Sequence, residues 1–362
     1  MRPHQLPPDQ LLHLLLWATV ILAALLLILV LLGGIYQYGR DRANRHRIAC
    51  YQAWEEDLAT YLFGGGHERG LFPAVPRRDR ILFQRFLSRY QATLAGQEAA
   101  LLRRIYREQG GVDTLPRRLK HPSDGVRAEA ILEISAFQVN EYLDVLFPLL
   151  KDPTPYVAQL AAQALAHSQQ RRFAAPVMDW VLTQDRYQQE RLLRILEGFG
   201  PQLLSWMVEH PPTTQEAPEF WILYASLAAT HRTFESLPTL QILLQATDID
   251  LLATTLRALA AIAIPQTYEQ VKGFAHHEAW PVRAQAARAM GLLGGPIAIG
   301  ELLPLLTDPV YEVRRNAAQG LADMGHAGTS ALEWTAADPE ADRFACDIAR
   351  ERLEWSSERG HL

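Results

Sequence analysis

Cys50 and Cys346 are the only cysteines in the chain, and no Cys-x-x-Cys brings two thiols together to cycle electrons or seed a zinc module. Each reads as a small buried hydrophobe. Two His-Glu pairs occur, His67-Glu68 and His277-Glu278. No His-Glu-x-x-His sets two imidazoles on one helix face, and no Gly-x-Ser-x-Gly presents a serine nucleophile. Gly64-Gly65-Gly66 is not a phosphate cradle: a P-loop needs Lys-Ser or Lys-Thr after its glycines, and neither follows. The sequence therefore offers no catalytic, cofactor-binding or metal-binding set, and the chemistry left to it is recognition.

For recognition the notable side chains are Trp180, Tyr187, Trp206, Trp221 and Tyr224, with Phe199 and Phe220 among them. One reading makes them core residues that fill space left where alanines are missing. The other makes them a partner-binding groove, because Trp, Tyr and Arg carry a disproportionate share of interface energy. The proline-rich stretch His210–Pro218 lies beside them. These five aromatics are the candidate partner-binding residues.

The elements that must carry them begin with an apolar run. Leu11–Leu32 has no formal charge, and as a helix it would rise about 33 Å, enough for a hydrocarbon core of about 30 Å. A cleaved signal peptide needs a basic start, a shorter apolar region and a small-residue cleavage site, which this segment lacks. An uncleaved transmembrane helix over 11–34 is expected, after a short tail at 1–10. Arg40, Arg42, Arg45 and Arg47 follow it and snorkel at headgroups. By the positive-inside rule the N-terminus lies outside and the rest in the cytoplasm of a bacterial inner membrane.

With 362 residues, 49% of them hydrophobic, and a net charge of −5, the chain is neither disordered nor a disulfide scaffold. Residues 40–120 hold 16 Lys and Arg against 9 Asp and Glu, whereas residues 121–362 hold 18 against 30. A basic helical neck, 35–114, thus precedes an acidic body. The acidic body argues against nucleic acid, whose binding rests on phosphate neutralisation. Within the neck, helices are expected over Arg42–Phe63 and Asp79–Gln109, the second with an apolar stripe that includes Ile81, Phe86, Leu94, Leu102 and Ile105.

The body repeats. Asp152-Pro153-Thr154-Pro155-Tyr156-Val157 and Asp308-Pro309-Val310-Tyr311-Glu312-Val313-Arg314 align with His121–Arg127 and His277–Arg283, and each Val precedes an Ala by four residues: Ala130, Ala161, Ala286 and Ala317. The period is 31, read from Val126 to Val157 and Val282 to Val313. Weaker units fall near 188, 219 and 251, and another begins at Asp338-Pro339. In each unit Asp is expected to cap a first helix, Pro to open it, and a second helix to follow after a short turn. Such pairs bury their apolar faces only by stacking. Arg127, Arg283 and Arg314, which follow Val, are expected to pair with Asp152, Asp308 or turn carbonyls as a structural ladder.

These residues resemble the HEAT repeat, in the short bacterial form also seen in phycobilin lyases, over residues 115–355, with a tail at 356–362. The resemblance implies an all-α fold: a right-handed α-solenoid of about eight units, whose second helices line a concave protein-binding face. The layout is also similar to deoxyhypusine hydroxylase, which holds two irons with four His-Glu pairs. Two pairs, the first outside the solenoid, do not make that site. The expectation is a non-enzymatic, membrane-anchored scaffold or regulatory subunit. Its partners would be proteins of an inner-membrane complex for envelope polysaccharide synthesis or secretion, with lipid contacted through the anchor. It would hold no cofactor, and its oligomeric state is left open. The alternative is a membrane-anchored lyase or chaperone that holds a small ligand in the concave face.

Overall fold

The computed structural model describes residues 8–64, 70–91, 93–212 and 217–359, though not the side chains of 8–16, 18, 20, 23, 24 and 356–359. Helices are the regular elements of the described residues, with no strand among them. They fall into two compact units: residues 1–121 with 136–139, and residues 122–135 with 140–362.

The first unit is built on α1 (Pro8–Phe63), α2 (Arg80–Gln91), α3 (Gly96–Glu108) and α4 (Gly111–Arg118). An aromatic cluster forms its core: Trp54 meets Phe83 edge-on at 5.0 Å, and Phe72, Phe86 and Tyr61 complete the set. The helix expected over 79–109 is two. The chain leaves α2 through a turn at Thr93 and re-enters α3 at Gly96, whose φ of +60° favours a residue without a Cβ.

Among the described residues no helix is long and apolar enough to cross a membrane. This overturns the expected anchor over 11–34, and with it the placement in a bacterial inner membrane with the N-terminus outside. The unbroken apolar run with described side chains, Leu25–Leu32, rises about 12 Å before Gly33, Gln37 and Arg40. Positions 11–16, 18, 20, 23 and 24 of the expected span lie outside the described side chains. Arg40, Arg42, Arg45 and Arg47 sit exposed on α1. Lipid contact and a membrane-complex partner rested on the same span and lose their support with it.

The second unit stacks helix pairs. First helices are α5 (Asp124–Ala136), α7 (Pro155–His167), α9 (Arg186–Glu197), α11 (Pro218–His231), α13 (Ile249–Ile262), α15 (Trp280–Leu293) and α17 (Tyr311–Asp323). Their starts are spaced by 31 residues, or 32 between α9 and α11. Between them run the second helices α6 (Leu143–Leu146), α8 (Ala174–Leu182), α10 (Gln202–Glu209), α12 (Leu237–Leu243), α14 (Tyr268–Lys272), α16 (Ile299–Leu302) and α18 (His326–Ala337). A single helix, α19 (Arg343–Arg359), follows the seven pairs, so the eighth unit is half a unit among the described residues.

Small residues set the stacking distance. Ala284, Ala287 and Gly291 of α15 and Ala317, Ala318 and Gly320 of α17 are buried, and α11, α13, α15 and α17 lie close upon one another. Larger polar residues on α9 interrupt this, and α9 packs less closely against α7 and α11.

The Asp of the strong repeats is not the helix cap. Asp152 accepts from the Thr154 N–H at 2.9 Å and Asp308 from the Val310 N–H at 2.9 Å, so each closes a turn ahead of the helix. The helices α7 and α17 then begin after Thr154 and Val310. True Asp caps occur in the weak units: Asp185 accepts from Gln188 N–H at 2.9 Å and Asp248 from Leu251 N–H at 2.8 Å.

Candidate functional site

A groove of about 370 Å³ crosses the first helices α9, α11, α13 and α15. Arg186, Gln189 and Glu190 come from α9; Glu219 and Ser226 from α11; Asp250, Thr254 and Arg257 from α13; Gln285 from α15. Periodicity places them: Glu219 and Asp250 stand one repeat apart, as do Ser226 and Arg257. The groove opens in the units where α9 departs from close alanine stacking.

Its charges are of both signs. Arg186 Nη2 lies 2.6 Å from Asp250 Oδ2, tying α9 to α13 across the floor of α11. Arg257 Nη2 donates to Ser226 Oγ at 3.3 Å. The Gln189 amide is buried and donates to the Gln184 carbonyl at 2.9 Å, holding the turn that leads into α9. Apolar patches from Leu193, Ile222 and Leu223 lie between these groups. No imidazole or thiol is among the lining residues; the groove presents carboxylates, guanidinium groups, amides and hydroxyls.

The five candidate aromatics do not gather on this surface. Trp206 is buried in α10 with its ring stacked on His210 at 4.9 Å, and Tyr224 is buried in α11. Trp180 and Trp221 are half-buried, with Trp221 edge-on to both Phe220 and Tyr224. Tyr187 alone of the five is open to solvent, at 72% exposure, next to Arg186 on α9. Tyr224 also lines an open hollow of about 740 Å³ with Leu204 and Val208 of α10 and Pro238 of α12, on the second-helix side. Residues 213–216 of the proline-rich loop lie outside the described residues. The groove's own polar residues were missed because single charges on a helix read as solvated surface. Their recurrence at the repeat interval was the signal that could have found them.

The Arg–Asp contacts are well formed. Arg127 grips Asp152 with two hydrogen bonds of 2.8 Å, and Arg283 grips Asp308 at 2.7 and 3.1 Å. Arg314 instead donates to the Asp308 and Pro309 carbonyls at 2.7 and 3.1 Å. Burial works to raise the Asp152 and Asp308 carboxyls, but the guanidinium and the turn N–H outweigh it and hold both below the usual carboxylate range.

In the first unit a different group converges. His46 Nε2 lies 2.9 Å from Asp79 Oδ1, and Cys50 Sγ lies 3.6 Å from the same nitrogen. Cys50 is thus not the buried hydrophobe expected; it is half-buried beside an imidazole. Burial and the Asp79 charge push its thiol up. The hydrogen bond from His46 pulls the Asp79 carboxyl down, against its own burial. Cys346, by contrast, is buried and points at the Thr335 carbonyl at 3.4 Å. His67-Glu68 lies outside the described residues. His277 takes part in a turn, where its Nδ1 accepts from the Ala279 N–H at 3.1 Å.

The family model for HEAT repeats matches residues 99–197 and 236–322, just over half of the chain. The chain belongs to the HEAT-repeat family. No curated protein matches it. Among solved structures, this HEAT-repeat chain is similar to the complex of CpcE and CpcF of phycocyanin lyase from Nostoc sp. PCC7120, at 18% identity and a TM-score of 0.29, over 67% of this chain and 87% of that one. An engineered protein matches at 19% identity and a TM-score of 0.34, over 76% of this chain and 84% of its own. Human deoxyhypusine hydroxylase in complex with glycerol matches at 17% identity and a TM-score of 0.27, over 76% of this chain and 98% of its own. The groove with charged walls runs over the first helices of the pairs, not over the second helices that were expected to line a binding face. Between its two segments the HEAT match leaves out residues 198–235, which include α10 and α11, the latter being the groove's middle wall.

Proposed function

We propose that the chain is a HEAT-repeat scaffold that takes an extended segment of a protein partner into the groove across α9, α11 and α13, and that it acts by binding and not by catalysis. The supporting observation is that donors and acceptors together line that groove: Arg186, Arg257 and the Gln285 amide beside Glu190, Glu219 and Asp250. A polypeptide backbone presents one donor and one acceptor per residue and needs partners at short intervals, which such a wall supplies. Tyr187, exposed beside Arg186, adds a rigid aromatic at the rim.

A volume of about 370 Å³ also lies in the range of small-ligand pockets, which keeps a ligand-holding role as the second reading. One experiment separates them. The tagged chain and a variant carrying Glu219→Arg and Arg257→Glu are purified from the native cell, and co-purifying proteins and small molecules are quantified. The proposal expects a protein in stoichiometric amount with the native chain, and its loss with the variant at unchanged helix content. A bound small molecule and no protein would replace it with the second reading. A protein kept equally by both chains would move the binding face elsewhere.

A further inference from the structure

We propose that His46, Cys50 and Asp79 form a binding site for a zinc-type divalent cation. Their placement is fixed by the fold. His46 and Cys50 stand four residues apart on α1, so their side chains lie over one another on one face. Asp79 is delivered to that face by the short helical turn Arg77–Asp79 that leads into α2. One ligand atom from each, Nε2, Sγ and a carboxylate oxygen, lies within 4.8 Å of the others.

The geometry is close to what an ion would impose. Around tetrahedral zinc, with Zn–S of about 2.3 Å and Zn–N or Zn–O of about 2.0 Å, ligand atoms sit roughly 3.3–3.5 Å apart. The Cys50 Sγ to His46 Nε2 distance is 3.6 Å and the His46 Nε2 to Asp79 Oδ1 distance is 2.9 Å. The first already has the right length, but Sγ also lies 3.9 Å from Nδ1, so the imidazole has to turn to aim Nε2 between thiol and carboxylate. The second has to open by a few tenths of an ångström as the proton between ring and carboxylate gives way to the metal.

The donor set selects the ion. Thiolate, imidazole and carboxylate together suit zinc or cobalt, whereas magnesium and calcium take oxygen ligands alone. Asp79 is 6% exposed and also accepts from Arg78 Nε at 3.3 Å, which fixes the carboxylate's orientation as outer-shell partners do. His46 is exposed and Cys50 half-buried, so the ion has a path in, and three protein ligands leave the fourth position to water.

The test uses the full chain and cobalt(II) as the probe. A thiolate-to-cobalt charge-transfer band, with the visible bands of tetrahedral cobalt, is expected to saturate at one ion per chain and to vanish when zinc is added. His46→Gln and Cys50→Ser should each weaken binding by at least about tenfold, and Cys50→Ser should also abolish the charge-transfer band. Cys346→Ser removes the other thiol and should leave the band intact. Should Asp79→Asn fail to fold, the exposed His46 and half-buried Cys50 variants still decide the matter. A native chain that shows no charge-transfer band in excess cobalt overturns the proposal, as does a band that survives in Cys50→Ser.

Discussion

Gly291 of α15 and Gly320 of α17 touch backbone to backbone: a Cβ built on Gly291 would lie 2.2 Å from the Gly320 Cα. The two glycines let neighbouring first helices close to a separation that no side chain permits. Gly291→Ala gains up to about 1 kcal/mol of helix propensity. Forcing two packed helices apart costs about 1–3 kcal/mol. The clash is with backbone, which has no rotamer to escape into, so the cost wins and the melting temperature falls. Gly300 in α16 supplies the control, because nothing lies within 4 Å of a Cβ placed there. Gly300→Ala should leave stability unchanged or raise it slightly.

The Arg–Asp ladder sets the acid limit of the repeat unit. Asp152 and Asp308 titrate lower in the folded chain than in the unfolded one. Their stabilisation is therefore fully present above the unfolded value of about 3.9 and is lost as pH falls through the lower folded value. Denaturant midpoints should be flat with respect to these groups above about pH 5 and decline below about pH 4. Asp308→Asn keeps the shape but gives Arg283 a neutral partner in a nearly buried site, and should cost about 1–3 kcal/mol at neutral pH. Its residual acid dependence should then be shallower than that of the native chain. An unchanged acid slope would show that the ladder does not carry the pH response.

Much of this architecture is legible from composition and spacing. The 31-residue interval and the Val-to-Ala step identify the strong units, because close stacking demands small residues at fixed helical positions. The interval persists to within one residue through the weak units, whose first helices begin at Arg186, Pro218 and Ile249. What the sequence hides is contact between distant residues. The approach of Asp79 to His46 depends on how α1 meets the turn before α2, and no local pattern encodes it. The aromatics show the same limit: by type Trp206 and Tyr224 suit either a core or an interface, and only tertiary packing shows that these two are buried. The apolar run at the N-terminus reads as a span by hydropathy, while no described helix satisfies that requirement.

Four first helices end on residues with positive φ that are not glycine: Gln138, Gln169, Arg232 and Ala263. Ala263 caps α13 at φ 59°, ψ 48°, where a Cβ costs about 1–2 kcal/mol. Glycine removes that cost and adds about 0.4–1 kcal/mol of unfolded-chain entropy. Ala263→Gly should therefore stabilise the chain by up to about 1 kcal/mol, read as a higher thermal midpoint with unchanged helix content. A lower midpoint would mean that the Ala263 methyl makes contacts worth more than the strain it brings.

The groove's ion pair should matter to binding and not to folding. Arg186 and Asp250 are each more than half solvent-exposed by side chain or close to it, at 57% and 50%, and exposed pairs contribute about 0–1 kcal/mol. Arg186→Ala or Asp250→Ala should shift the melting temperature by little more than measurement error. In a complex the same charges lose their water, and truncating one leaves its partner buried without a counter-charge, a loss of about 2–5 kcal/mol. Each substitution should then weaken partner retention at least about thirtyfold at neutral pH and physiological salt. Equal retention by both single variants would place the contact surface away from α9 and α13, while a large drop in melting temperature would make the pair structural.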